Sequence, residues 1–177
     1  MLVAAALLAA ACSGDDATPA VTTEVPDSTE LAVTTTVDGQ LTVGVLLPLT
    51  GAGSEIGTVM RDAVELAAQE IEAAGGIRPD SADAGPIRLV VVDESTLADG
   101  LPSSIEEIFN EPVDAIVGPA SSLLTERLLP NTVRSGIITC SPTASARSLD
   151  DFPDEGPLFV RTIPSDELQA RALARQL

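Results

Sequence analysis

Residues 41–77, LTVGVLLPLTGAGSEIGTVMRDAVELAAQEIEAAGGI, constrain this chain more than any other stretch. They open on an apolar run, residues 41–47, of the kind carried by a strand buried on both faces. Pro48, Gly51 and Gly53 interrupt it. A helical pattern follows, in which Val59, Ala63, Val64, Ala67 and Ile71 recur at the spacing of one apolar stripe, expected to face a core. Gly75 and Gly76 then supply the left-handed stop that helices favour. A buried strand, a polar Gly-rich loop and a crossover helix make the first part of a parallel βαβ unit. Ligands of such sheets bind beyond the carboxyl ends of the strands, so the loop at residues 49–57 is a candidate binding element.

The alternation continues. Residues 87–93, IRLVVVD, read as a second buried strand, ending in Asp93 and Glu94. Ser103 or Ser104 is placed to cap a short helix through Asn110, with Ile105, Ile108 and Phe109 apolar. Residues 113–117 read as a third strand, and Ser121-Ser122 precede a helix to about Ser135. Residues 136–140 form a fourth strand, residues 158–161 another, and Ser165 caps a helix from Asp166 that reaches the last residue. Strands and helices in this order predict an α/β fold, a parallel sheet with helices on both faces.

Polar residues gather where these strands end. Thr50, Gly51 and Ser54 follow the first strand and Asp93 the second. Ser121 and Ser122 follow the third; Ser141, Thr143 and Ser145 follow the fourth. All are expected on the carboxyl edge, and the Ser121-Ser122 pair sits at a helix N-terminus, where free amides and the dipole favour an anion. Each has a plainer reading beside this one. Ser121 or Ser122 serves equally as an N-cap, Ser54 with Glu55 as a cap of the first helix, Thr143 and Ser145 as loop-formers beside Pro142, and Asp93 as a strand-end residue. Their convergence on one edge is what favours binding.

The missing residue types exclude whole classes of chemistry. The chain has no His and no Lys; all nine basic residues are Arg. That removes Ser-His and Ser-Lys nucleophile pairs, a phosphate-loop lysine, Schiff bases and histidine metal ligands. Arginine stays protonated and cannot act as the base. No catalytic residue, metal site or cofactor is assigned, and the chain is not expected to be an enzyme. A net charge of −18 argues against nucleic acid or an anionic membrane surface as partner. Three Phe and no Tyr or Trp leave the core to Val, Leu, Ile and Ala.

The first eleven residues are apolar, too short to span a bilayer and of secretory length. Leu8, Ala9, Ala10 and Ala11 lead into Cys12, which resembles a bacterial lipoprotein processing site, although Leu8 stands four places before the Cys rather than three. Cys12 is therefore the expected lipidation site, and acylation with more than one chain anchors a protein stably. Residues 12–39 are rich in Thr, Pro, Asp, Ser and Glu and read as a disordered acidic tether. Cys140 lies in an apolar run and reads as a small buried hydrophobe.

The joint occurrence of Pro48-Leu49-Thr50-Gly51 and Ala73-Ala74-Gly75-Gly76-Ile77 resembles the type I periplasmic binding proteins, in particular the leucine/isoleucine/valine-binding receptors of ABC transporters. Gly118-Pro119-Ala120-Ser121-Ser122 resembles their Gly-x-x-x-Ser element, and Ser141-Pro142-Thr143-Ala144-Ser145 their Ser-Pro loop. The resemblance implies that Ser122, with Ser121 as fallback, holds a ligand carboxylate. It implies that Thr143 offers its carbonyl to an ammonium and Ser145 its hydroxyl and amide to the ligand; Ser54 is a further candidate contact. It also implies that residues 40–164 are the first lobe of a ligand-binding domain and that residues 165–177 start the crossover into a second lobe, which family members possess and this sequence lacks. An aromatic residue that several relatives place after the first strand is absent here.

The function these features imply is an extracytoplasmic solute-binding lipoprotein of an ABC importer, held on the outer face of a bacterial cell membrane by its lipid alone. Its partners are an ABC permease and a small polar solute such as an amino acid. The rivals are a ligand-sensing receptor domain of the same fold, recognising an amide, urea or an amino acid, and a non-catalytic envelope lipoprotein without a small ligand.

Overall fold

In the computed structural model, residues 40–77, 85–94, 101–152 and 158–176 are described. The leader, Cys12 and the tether expected at residues 1–39 lie outside them. Apolar, β-branched runs form the strands β1 (Leu41–Leu47), β2 (Ile87–Asp93), β3 (Ala115–Val117), β4 (Ile138–Ser141) and β5 (Phe159–Arg161). Between them come α1 (Ser54–Ala73), α2 (Leu101–Phe109) and α3 (Ser122–Arg134), and α4 (Asp166–Ala174) follows β5.

All strand pairs are parallel and the sheet runs in the order β2-β1-β3-β4-β5. The chain steps from β1 outward to β2, then returns across β1 to β3. Right-handed crossovers on steps in opposite directions put α1 on one face of the sheet and α2 and α3 on the other. The point where the order reverses, between β1 and β3, is where such sheets bind ligands.

The main core lies on the α2–α3 face. Leu46, Val92 and Ile116 from the sheet meet Ile108 of α2 and Leu124 and Leu128 of α3. A smaller cluster of Leu129, Ala144 and Leu149, with Phe152 and Phe159 packed on it, lies under the loop after β4. The buried Thr139 hydroxyl of β4 has no partner among the described residues.

The α1 side departs from the sequence expectation. Gly57 is the one buried residue of α1, while Val59 is 68% exposed and Ala63, Ala67 and Ile71 are also exposed. The less exposed residues beyond the first turn are Gly57, Thr58, Met60, Arg61, Val64, Glu65 and Ala68, so that of the expected stripe only Val64 is partly covered. The cause is a close approach: a Cβ on Gly57 would lie 1.9 Å from the Pro48 carbonyl oxygen. A helix seated so tightly at its first turn takes its rotation from that contact. Because α1 lies over β1 and β2, Ile138 and Val160 on the far half of the same sheet face are exposed.

Smaller differences follow local chemistry. The helix α2 begins before Ser103, and Ser104 lies inside it, its buried hydroxyl donating to the Asp93 carbonyl at 2.8 Å. The third strand is shorter than expected, the fourth begins two residues later, and α4 stops at Ala174. Gly75 and Gly76 have φ of 105° and 79°, and the Gly76 amide donates back to the Ile71 carbonyl at 2.9 Å, closing α1 as anticipated. Ser165 caps α4, its hydroxyl accepting from the Leu168 amide. None of the described helices is long and apolar enough to cross a membrane.

Candidate functional site

Three loops meet at the carboxyl edge beside the β1–β3 switch point: β1–α1, β3–α3 and the loop after β4. The β1–α1 loop is held by Asp93 at the end of β2, whose carboxylate accepts from the Leu49 amide at 2.8 Å and from the Thr50 hydroxyl. Asp93 is thus a strand-end brace, the plainer of its two readings. Ser54 is the first residue of α1 and not its cap; Gly53 holds that position without a side-chain bond. No bond joins Ser54 to the other candidate residues.

The β3–α3 turn is held from the same strand. Glu94, only 2% exposed, accepts from the Ala120 amide at 2.7 Å and from the Ser121 amide at 2.6 Å. Its own amide donates to the Leu47 carbonyl at 2.7 Å, fixing it over the end of β1. Gly118 has φ of 111°, and a Cβ there would meet the Leu46 carbonyl oxygen at 2.0 Å, so only glycine lets the turn sit this close to β1. Ser121 is the N-cap of α3: its hydroxyl accepts from the Leu124 amide at 3.1 Å and its carbonyl from the Thr125 amide at 3.0 Å. Ser121 is thus engaged as acceptor through both its hydroxyl and its carbonyl. The next two amides, of Ser122 and Leu123, have no partner among the described residues, as the first turn of a helix leaves them.

Hydroxyls fasten the loop after β4 to this turn. Ser141, fully buried, donates to the Pro119 carbonyl, and Thr143 donates to the Ala120 carbonyl at 2.9 Å. The Ala146 amide donates to the Ser122 hydroxyl at 3.2 Å. Ser122, Thr143 and Ser145 are therefore brought together, whereas Ser54 belongs to α1 across the switch point.

Within residues 141–146 nearly every carbonyl is used. Those of Ser141 and Pro142 accept from Thr162, that of Ser145 from the Asp166 amide, and those of Ala144 and Ala146 from Arg161. Only the Thr143 carbonyl has no partner among the described residues, and the Thr143 and Ser145 amides and the Ser145 hydroxyl are open likewise. The Arg161 guanidinium, paired with Asp150, pins the loop from β5. What remains at the edge is a patch of donors, the amides of Ser122, Leu123, Thr143 and Ser145 with the Ser122 and Ser145 hydroxyls, around one acceptor. Such a patch suits a carboxylate with an ammonium beside it.

The sequence reading missed Glu94 and Arg161 as braces. The signal for Glu94 was its place directly after a buried strand, where a carboxylate reaches the loops of neighbouring strands. Cys140 is a half-buried free thiol whose pKa is raised by burial. The described residues contain no group of three or more His, Cys, Asp or Glu able to hold a metal ion. A groove of about 580 Å³ lies between β5 and α4 and is lined by none of the edge-patch residues.

A family profile described as periplasmic binding protein matches residues 40–177. Among solved structures, the chain is similar to an ABC transporter substrate-binding protein of Desulfitobacterium hafniense in complex with Leu, at 22% identity and a TM-score of 0.64, covering 77% of this chain and 38% of that one. It is similar to a branched-chain amino acid transporter substrate-binding protein of Streptococcus pneumoniae in complex with isoleucine, at 25% identity and a TM-score of 0.57, covering 72% and 34%. A solute-binding protein of R. palustris in complex with 4-hydroxybenzoate has 18% identity and a TM-score of 0.59, covering 77% and 36%. The match thus spans well under half the length of each of these proteins. The search of curated proteins found no match.

Proposed function

From the premise that this chain belongs to the periplasmic binding protein family, we propose that it is the solute-recognising lobe of an extracytoplasmic receptor serving an ABC importer, and that its solute is an amino acid. The observation that carries the proposal is the open patch at the switch point: four amides and two hydroxyls around the Thr143 carbonyl. In this reading Ser122 and the Leu123 amide take the ligand carboxylate. The Thr143 carbonyl takes the ammonium, and Ser145 contributes its amide and hydroxyl. Ser121 serves the patch by capping α3, and Ser54 is the candidate contact from the α1 wall. Family members that bind Leu and Ile support the amino-acid class. Residues 40–164 would be the first lobe, residues 165–177 the start of a crossover to a second, and lipid on Cys12 with the acidic tether would hold the lobe at the outer membrane face beside a permease.

Ser122→Ala tests this. Removing a hydroxyl that bonds a charged group should weaken amino-acid binding by about 1–3 kcal/mol. The fold should survive, because the α3 N-cap is Ser121. Calorimetry against a panel of amino acids reads both outcomes. Wild-type binding that is unchanged in Ser122→Ala would remove Ser122 from the site.

A further inference from the structure

Two consecutive carboxylates at the end of β2 grip the two loops that flank the switch point. Asp93 holds Leu49 and Thr50 of the β1–α1 loop; Glu94 holds Ala120 and Ser121 of the β3–α3 turn. Glu94 is the more demanding of the two. It is almost fully buried, and none of the ion pairs among the described residues involves it. A buried carboxylate without a cation is costly unless hydrogen bonds satisfy it, and a neutral side chain often serves stability as well. What the carboxylate adds over a neutral side chain is an acceptor oxygen for each of two adjacent amides, carried by a negative charge at the positive end of a helix.

Those two amides are the ones directly before Ser122. With the Ala120 and Ser121 amides held by Glu94, the first amides free to meet a ligand are those of Ser122 and Leu123. We infer that Glu94 is a positioning residue: by holding the Ala120 and Ser121 amides it fixes the β3–α3 turn in the one arrangement that presents the Ser122 amide and hydroxyl outward. This rests on the proposed solute-binding role of Ser122 for its effect on affinity, but not for its effect on the turn. Asp93 braces the opposite wall in the same way, through Leu49 and Thr50.

Hydrogen exchange followed residue by residue tests the brace in the wild-type chain. The Ala120 and Ser121 amides should exchange slowly, and those of Ser122 and Leu123 quickly until L-leucine is added; the opposite order would overturn the inference without any variant. In Glu94→Gln the Ala120 and Ser121 amides should exchange about tenfold faster or more, since one of two acceptors becomes a donor. In Asp93→Asn they should stay slow. Affinity for L-leucine should fall about tenfold in Glu94→Gln. In a Ser122→Ala background the same change should cost clearly less than about tenfold, because the hydroxyl that Glu94 helps present is gone and only the backbone amide remains. Losses that simply add would show a general structural role and refute the inference. Should the wild type bind no amino acid, the functional reading falls, and exchange at Ala120 and Ser121 in Glu94→Gln alone decides the brace.

Discussion

Gly57→Ala should destabilise this chain although it replaces glycine by the best helix former. Within α1 the exchange is favourable by about 0.8–1.0 kcal/mol from propensity alone. The packing term opposes it. The new Cβ would lie 1.9 Å from the Pro48 carbonyl oxygen and 2.6 Å from its carbonyl carbon, where real Cβ atoms keep 3.0 Å or more. These are backbone atoms at the end of β1, so no side chain can swing aside, and the helix must move off the strand by roughly 1 Å. Overpacking of this kind costs about 1–3 kcal/mol and sometimes more. With the collision against backbone, the upper part of that range applies, leaving a net loss of about 2 kcal/mol. Urea unfolding followed by circular dichroism measures it, with Thr58→Ala as the neighbouring control. A variant as stable as the wild type would show that α1 is not seated on Pro48, and the account of its rotation would fall with it.

Three further outcomes follow from particular groups. Thr139→Val should stabilise the chain by about 1 kcal/mol in urea unfolding, because its buried hydroxyl lacks a partner; a loss of similar size would mean that the hydroxyl is satisfied. Burial raises the Cys140 pKa, so its thiol stays protonated at neutral pH and should alkylate slowly in the native state. The stability from keeping it protonated is present below the ordinary thiol pKa and lost as pH rises from there through the raised pKa of the folded state; mapping iodoacetamide labelling on the Cys140 peptide from pH 7 to 10, native against unfolded, checks the raised pKa. Radiolabelled fatty acid should enter the wild type in a bacterial host and not Cys12→Ala; equal labelling of both would end the lipoprotein reading.

The parallel sheet was legible because each strand is a short apolar run bounded by Gly, Pro or Ser, and a period-two or continuous pattern does not depend on distant neighbours. Helix α3 was legible for the same local reason: the Ser121-Ser122 pair announces a cap, and the structure assigns it to Ser121. The rotation of α1 was not. Periodicity shows that an apolar stripe exists, but not what will cover it, and the deciding contact is a single missing Cβ at Gly57 against Pro48. The site divides likewise. Ser122, Thr143 and Ser145 could be placed on one edge from strand ends alone, and the structure joins their loops through Thr143 to Ala120 and Ala146 to Ser122. Glu94 bonds residues 26 and 27 positions away, across two strands. Such a bond depends on sheet order, which a sequence pattern does not carry. Ser104 was misread for a related reason, since a serine near a helix start looks like a cap whether or not a strand end lies within reach of its hydroxyl.

The central claim is that a solute is held by the open groups around the Thr143 carbonyl at the switch point. Titrating the ¹⁵N-labelled chain with L-leucine into the millimolar range, with amide shifts followed by NMR, tests it most directly. The account predicts saturable shifts concentrated at Ser122, Leu123, Thr143 and Ser145, with the already bonded amides of Ala120, Ser121 and Ala144 moving least. Shifts centred on the groove between β5 and α4, or none from any amino acid while the chain is folded, would contradict it.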